Sequence, residues 1–212
     1  MYSLETQLDD ALDAATEAVK AGQCVVLPTD TVYGIGADAS SPSAVQLLLD
    51  TKRRGRDMPP PVLLPDASWL DEAAADVPSD AHRLADAFWP GALTLILRAK
   101  LPLDLGDRPD TIALRVPNHD GARALLRATG LLAVSSANLS GMPPATTVQA
   151  AVDMFGDTVG VYLDGGPTSG ETPSTIVDLS QPGQPGHVVR QGVIALEALR
   201  AVCPDMQGVA RA

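Results

Sequence analysis

Aromatic residues are scarce in this chain: Phe, Trp and Tyr together make up 3% of it. The core must therefore rest on Ala, Val, Leu and Ile, because 45% of the residues are still hydrophobic. Cysteine is nearly absent. Cys24 and Cys203 stand far apart with no histidine near either in sequence, so they make no metal motif. Cys24 lies in an apolar run and reads as a small buried hydrophobe. Lysine is confined to Lys20, Lys52 and Lys100, and the formal net charge is −11. Such an acidic balance argues against the broad basic face that non-specific nucleic-acid binding needs, but leaves room for a local basic pocket. No apolar run approaches the ~18 residues of a membrane span. Glu5, Asp9 and Asp10 occupy the start, where a signal peptide would need basic residues. A cytoplasmic protein without membrane contact is expected. The common catalytic signatures are missing too. There is no Walker A sequence, and Gly34-Ile35-Gly36 is only a fragment of a dinucleotide fingerprint. His82, His119 and His187 are widely separated, and Ser135 and Ser136 lack a glycine-framed nucleophile elbow.

The 212 residues suffice for one sizeable core. A single domain over 1–203 with a loose tail over 204–212 is expected. With 18 Gly and 18 Pro, tight turns and rigid loops should be frequent. Apolar spacing predicts helices over 6–20, 43–54, 68–76, 80–88, 119–128, 147–155 and 195–201. Short apolar or β-branched runs predict strands over 24–27, 61–64, 92–97, 111–117, 131–134, 159–163, 173–179 and 188–192. The long runs 92–97 and 111–117, joined by a Pro- and Asp-rich loop, suggest antiparallel pairing, and so a mixed sheet.

Against the acidic background, one stretch stands out: Lys52-Arg53-Arg54-Gly55-Arg56 holds four of the 15 basic residues. Clustered cations repel unless an anion sits against them, which suggests a phosphate site at Lys52 and Arg54. A solvated helix end is the plainer alternative. A loop expected over 29–36, which opens with Thr29-Asp30-Thr31 and turns at Gly34 and Gly36, and the stretch Ser135-Ser136-Ala137-Asn138 place hydroxyls, a carboxylate and an amide directly after buried strands, where α/β proteins bind ligands. Strand alternation puts Thr111, Ala113 and Arg115 on one face. An arginine in an apolar strand is costly unless paired, either with a protein carboxylate or with a ligand anion. Position alone leaves both partners open. Residues 168–172 are a candidate lid on composition.

Seven stretches in order then form a pattern. They are Pro28-Thr29-Asp30-Thr31-Val32-Tyr33-Gly34, Lys52-Arg53-Arg54, Trp89-Pro90-Gly91-Ala92-Leu93-Thr94 and Ile112-Ala113-Leu114-Arg115-Val116-Pro117. Ser136-Ala137-Asn138-Leu139-Ser140-Gly141, Ser174-Thr175-Ile176-Val177-Asp178 and Arg190-Gln191-Gly192 complete it. Together they resemble the YrdC-like family, the L-threonylcarbamoyladenylate synthases. The resemblance implies an α/β fold: an open, twisted, mixed β-sheet flanked by helices, with a deep concave active site. It implies a reaction of L-threonine, bicarbonate and ATP, the last with Mg2+, giving threonylcarbamoyl-AMP and pyrophosphate. The product would pass to a separate tRNA threonylcarbamoyl-transferase complex, with weak or no direct tRNA binding by this chain.

Carried over position by position, the resemblance implies threonine contacts from Thr31, Arg115 and Ser174. It implies ATP contacts from Lys52, Arg54, Thr111, Ser136, Asn138 and Arg190, with Lys52 and Arg54 catalytic and no protein-held metal site. Asp30 stands where Glu is frequent in the family. Met58 falls where an Asn is usual and Pro144 where Ser is common, so any side-chain contacts from those positions are lost. Two other functions compete. A carbamoyl-adenylate-forming enzyme with another acceptor would come in a far longer, cysteine-rich chain. A non-catalytic RNA-binding module is disfavoured by the net charge of −11.

Overall fold

In the computed structural model, which describes residues 1–168, 170 and 172–209, most of the chain is regular. The strands are β1 (Tyr2–Ser3), β2 (Val25–Leu27), β3 (Gly34–Asp38), β4 (Val62–Leu63), β5 (Ala74–Ala75) and β6 (Leu93–Ala99). They continue with β7 (Thr111–Arg115), β8 (Leu132–Ser136), β9 (Val161–Asp164), β10 (Thr175–Asp178) and β11 (His187–Arg190). The helices are α1 (Leu8–Lys20), α2 (Pro42–Thr51), α3 (Leu70–Ala73), α4 (Ser79–Phe88), α5 (Asp120–Thr129), α6 (Val148–Phe155) and α7 (Leu196–Val202). One sheet runs β1-β9-β2-β3-β8-β4-β7-β6-β10-β11, with β5 added to β6. The sheet is mixed: β4–β7 and β6–β10 are parallel, whereas β6–β7, β3–β8 and β4–β8 are antiparallel. Among the described residues no helix is long and apolar enough to cross a membrane.

Alternation along the strands builds two unequal faces. On one face Val26, Ile35, Val62, Ala133, Leu114, Leu95 and Val177 pack under α2, α4 and α6 in the larger core. On the other, Val25, Leu27, Leu132, Val161 and Leu163 pack under α1 and α5 in a smaller core. Helix α1 lies over β9, β2 and β3. The half of this face formed by β4, β7, β6 and β10 instead presents Leu63, Ala113, Ile96 and Ile176 to a cavity. The concave site therefore exists because the helices are unequally shared between the two faces.

Several boundaries differ from those read off the sequence. The stretch 29–36, expected as one loop, contains strand β3. Gly34 and Gly36 are strand residues because a Cβ at either would come within 2.6 and 2.9 Å of the Val134 methyls on β8. They mark close approach of a neighbouring strand rather than a turn. Helix α2, capped by the Ser41 hydroxyl accepting from Ala44 N (3.3 Å), ends at Thr51, three residues short of expectation. Arg53 has φ +52, so the basic cluster turns off the helix. The helix expected over 68–76 is only one turn at Leu70–Ala73; Ala74 and Ala75 then pair with Ala99 and Arg98 on β6. The segment expected as a loose tail is docked as far as Gln207: Val188 N donates to Gln207 O (2.9 Å) and Met206 is 2% exposed. Residues 210–212 of that expected tail lie outside the described residues.

At the end of β11 the chain passes so close to residues 173–174 that a Cβ on Gly192 would overlap Pro173 O and the Ser174 carbonyl group. Gly192→Ala is expected to lower stability by ~1–3 kcal/mol through this overpacking. Urea denaturation checks this, and an unchanged midpoint would contradict the close approach.

Candidate active site

The cavity on the half-covered face holds about 360 Å³. Its floor is apolar, from Leu63, Ile96, Ala113, Val134 and Ile176. Around this floor the structure gathers Thr31, Arg54, Thr111, Arg115, Ser136, Ser174 and Arg190, seven of the nine residues expected to bind substrate. Strand register orders them along the cavity. Leu63 pairs with both Arg115 and Leu132, so Ser136, four residues along β8, is level with Thr111 on β7. At ~3.3 Å per residue, Thr111 and Arg115 mark ends ~13 Å apart.

At one end, Arg115 is 7% exposed. Its Nε donates to Gly91 O (3.0 Å), Nη1 to Thr31 Oγ1 (3.1 Å) and Nη2 to Asp30 Oδ1 (2.8 Å). Asp30 Oδ1 also accepts from Asn118 N (2.9 Å). The two partners left open by position are thus both accommodated. Arg115 has a protein carboxylate on one side and still faces the cavity. Three N–H groups are used, which leaves two of the five guanidinium donors for a ligand. Burial lowers the Arg115 pKa from its ordinary value, and Asp30 opposes that shift. Beside it, Ser174 Oγ and Thr94 Oγ1 are 2.8 Å apart, and Arg190 Nη2 donates to Ser174 O (2.8 Å) and Oγ (3.2 Å). Burial, then the charges of Arg115 and Arg54, lowers the Arg190 pKa, so these three guanidinium groups feel one another.

At the other end, Arg54 Nη1 donates to Ser135 Oγ (2.8 Å) and Nε to Met58 O (2.8 Å). Neither Arg54 nor Arg190 forms an ion pair among the described residues, and Asp57 is the one carboxylate in the cavity lining. A cavity lined by the four guanidinium groups of Arg54, Arg108, Arg115 and Arg190, with so little compensating acid, favours an anionic ligand.

Lys52 and Asn138 stand behind the wall instead of in it. Lys52 is 2% exposed, and its Nζ donates to the carbonyls of Ser136 and of Asn138 (2.6 Å). Its ammonium pins the Ser136–Asn138 turn from beneath. Burial first, then the charge of Arg54, pulls its pKa down to about 8. Asn138 folds back, with Oδ1 accepting from Ser136 Oγ (2.5 Å) and Nδ2 donating to Leu139 O and Met142 O (both 2.9 Å). Sequence reasoning named Ser135 in the hydroxyl-rich stretch but gave it no contact, and it missed Thr94 and the Asp30–Arg115 pair. A rise in serine and threonine content hinted at the first two, whereas the pair joins residues 85 apart with no local signal. The lid expected over 168–172 includes Ser169 and Glu171, which lie outside the described residues.

An open mixed sheet with a guanidinium-lined cavity on its half-covered face defines an α/β protein built to bind a small anion. Comparison with known proteins makes this specific. The family model described as "Telomere recombination", of the Sua5, YciO and YrdC proteins, matches residues 17–192, and the chain belongs to this family. It is 48% identical over 191 residues to the putative threonylcarbamoyl-AMP synthase of Mycobacterium tuberculosis, covering 89% of this chain and 87% of that one. It is 39% identical to the threonylcarbamoyl-AMP synthase of Bacillus subtilis, covering 92% of this chain and 57% of that protein. The crystal structure of Pyrococcus abyssi Sua5 complexed with L-threonine superposes with a TM-score of 0.84 at 32% identity, over 93% of this chain and 58% of that one.

Lys52→Met would keep the side-chain length but leave the Asn138 carbonyl without its donor, worth roughly 1–3 kcal/mol of stability, and the Ser136 carbonyl with Asn138 N (2.9 Å) alone. The loss also depends on pH. Folded Lys52 gives up its proton near a pKa of about 8, whereas the unfolded chain keeps it up to the ordinary lysine value of 10.5. Its contribution to stability should therefore rise as pH increases between those values. Urea denaturation of wild type and Lys52→Met at pH 7.5 and 9.5 checks both points. Equal stability, or a gap that narrows with rising pH, would contradict this placement.

Proposed function

We infer that this chain condenses L-threonine, bicarbonate and ATP into threonylcarbamoyl-AMP and pyrophosphate. The observation that carries the reading is the convergence of Arg54, Arg115 and Arg190 with Thr31, Ser136 and Ser174 on one cavity. The relatives' activity and the threonine-bound Pyrococcus abyssi structure support it. The same chemistry assigns the ends of the cavity. The two spare N–H groups of Arg115 suit a bidentate grip on the threonine carboxylate, which orients the amine for attack on the carbon of bicarbonate. Thr31 and the Thr94–Ser174 hydroxyl pair stand beside it to meet the threonine hydroxyl.

The carbamate formed there, with loss of water, turns an oxygen on the α-phosphorus of ATP, and the bond to pyrophosphate breaks. Arg190 lies within electrostatic reach of both Arg115 and Arg54. On this reading it stands beside the reacting phosphorus. Arg54 faces the charge that grows on the leaving pyrophosphate. Lys52 acts through the wall by holding the Ser136–Asn138 turn, so its part is positioning rather than contact with substrate. No covalent enzyme intermediate is required.

Mg2+ would enter as part of the nucleotide substrate, its charge neutralising the phosphates, and Asp57 is the carboxylate in the cavity lining that could face it. The reading places the protein in the cytoplasm, handing its product to a tRNA-modifying transferase. The acidic chain is not suited to holding the tRNA itself.

Pyrophosphate release is expected only when ATP, bicarbonate and L-threonine are all present. Release without threonine would mean a different acceptor, and RNA binding without any turnover would favour the non-catalytic module. Arg54→Ala should cut turnover by at least ~100-fold, the scale for losing a donor to developing negative charge. Its unfolding midpoint should stay near wild type, and full turnover in this variant would remove Arg54 from the catalytic group.

A further inference from the structure

Arg56, the last member of the basic cluster, does not enter the cavity. Its guanidinium pairs with Asp104 through Nη2 and with Asp107 through Nε (3.5 Å), while Nη1 donates to Gln46 Oε1 (3.1 Å). Its carbonyl accepts from Asp107 N (2.9 Å). The clasped partner is the loop between β6 and β7. Gly106 in that loop has φ +151, and a Cβ there would overlap the Arg56 carbonyl, so the approach requires glycine.

The clasp fixes what this loop presents. Leu105 and Arg108 both line the cavity. The Arg108 side chain has no hydrogen bond or ion pair among the described residues, while its carbonyl accepts from Thr111 N (3.3 Å). Arg53 and Arg127 are also exposed without a side-chain partner among the described residues, but of these three Arg108 alone lines the cavity. Elsewhere on the surface Arg83, Arg98 and Arg123 each pair with an aspartate. The aspartates nearest Arg108 on its N-terminal side, Asp104 and Asp107, are both held by Arg56. Arg108 also stands three residues before Thr111, at the end of the cavity level with Ser136 and away from Arg115.

We propose that Arg108 is a further phosphate-binding residue, meeting the nucleotide's phosphate chain at the mouth of the cavity. Arg56 is the positioning residue that keeps Asp104 and Asp107 from neutralising it. The assignment rests on the cavity being a nucleotide site. It adds a fourth cation to that site, one that is solvent-facing and free to move with the incoming and departing phosphates.

The test compares Arg108→Met, Arg56→Met and the double variant by steady-state kinetics and by calorimetric binding of inorganic pyrophosphate. For Arg108→Met, KM for ATP should rise and pyrophosphate affinity fall ~5- to 10-fold, the scale of one partly exposed charge-assisted contact. KM for L-threonine should not change. Arg56→Met should shift the same two quantities in the same direction but less. The double variant should be no weaker than Arg108→Met alone, because Arg56 acts through Arg108. Unchanged pyrophosphate affinity in Arg108→Met overturns the assignment, as does an equal rise in KM for threonine. A double variant as weak as the two single effects summed overturns the role of Arg56. Pyrophosphate binding needs no turnover, so it tests Arg108 even if the wild-type protein forms no adenylate.

Discussion

Arg54, Arg115 and Arg190 stand near enough that the first two depress the basicity of the third. That repulsion is a standing cost in the ligand-free molecule, and the structure meets it mostly with neutral groups. Carbonyls of Gly91, Ser174 and Met58 and hydroxyls of Thr31, Ser174 and Ser135 accept from the three guanidinium groups. Such partners orient a cation without cancelling its charge, so the attraction for an anion is retained. Asp30 is the exception. It sits at the end of the cavity where a single carboxylate is to be bound, and its pairing with the deeply buried Arg115 offsets part of the cost of burying that charge.

The uncovered half-face of the sheet makes this arrangement possible. A strand buried on both faces would force Arg115 into an apolar layer. Here β7 gives Ile112 and Leu114 to the large core and turns Thr111, Ala113 and Arg115 to the cavity. The antiparallel turn of β8 against β4 brings Ser136 level with Thr111, so one short strand length separates the carboxylate end from the phosphate end.

Much of this was legible in the sequence. Period-two alternation placed Arg115 and Thr111 on one face, and the scarcity of lysine made the cluster at 52–56 conspicuous. Other features were hidden for identifiable reasons. The direction of a side chain past a helix end follows from the turn there, and the positive φ of Arg53 turns the chain so that Arg54 meets the cavity. No local pattern encodes that. Gly34 and Gly36 read as turn residues because glycine signals either a turn or close approach, and only the neighbouring strand decides. Asp30–Arg115 and Arg56–Asp104 are pairs formed by topology across long stretches of chain. The short Asp30 side chain reaches both Arg115 Nη2 and Asn118 N.

The central claim is that one cavity holds two separate stations, a carboxylate grip at Arg115 and a phosphate site around Arg54 and Arg190. The most direct measurement is calorimetric titration of L-threonine and of ATP, separately, into the Arg115→Lys protein. Lysine keeps a charge for Asp30 but lacks the planar fork. The account predicts that threonine binding is lost while ATP affinity stays near wild type. Retained threonine binding, or equal loss of both ligands, would contradict a cavity divided in this way.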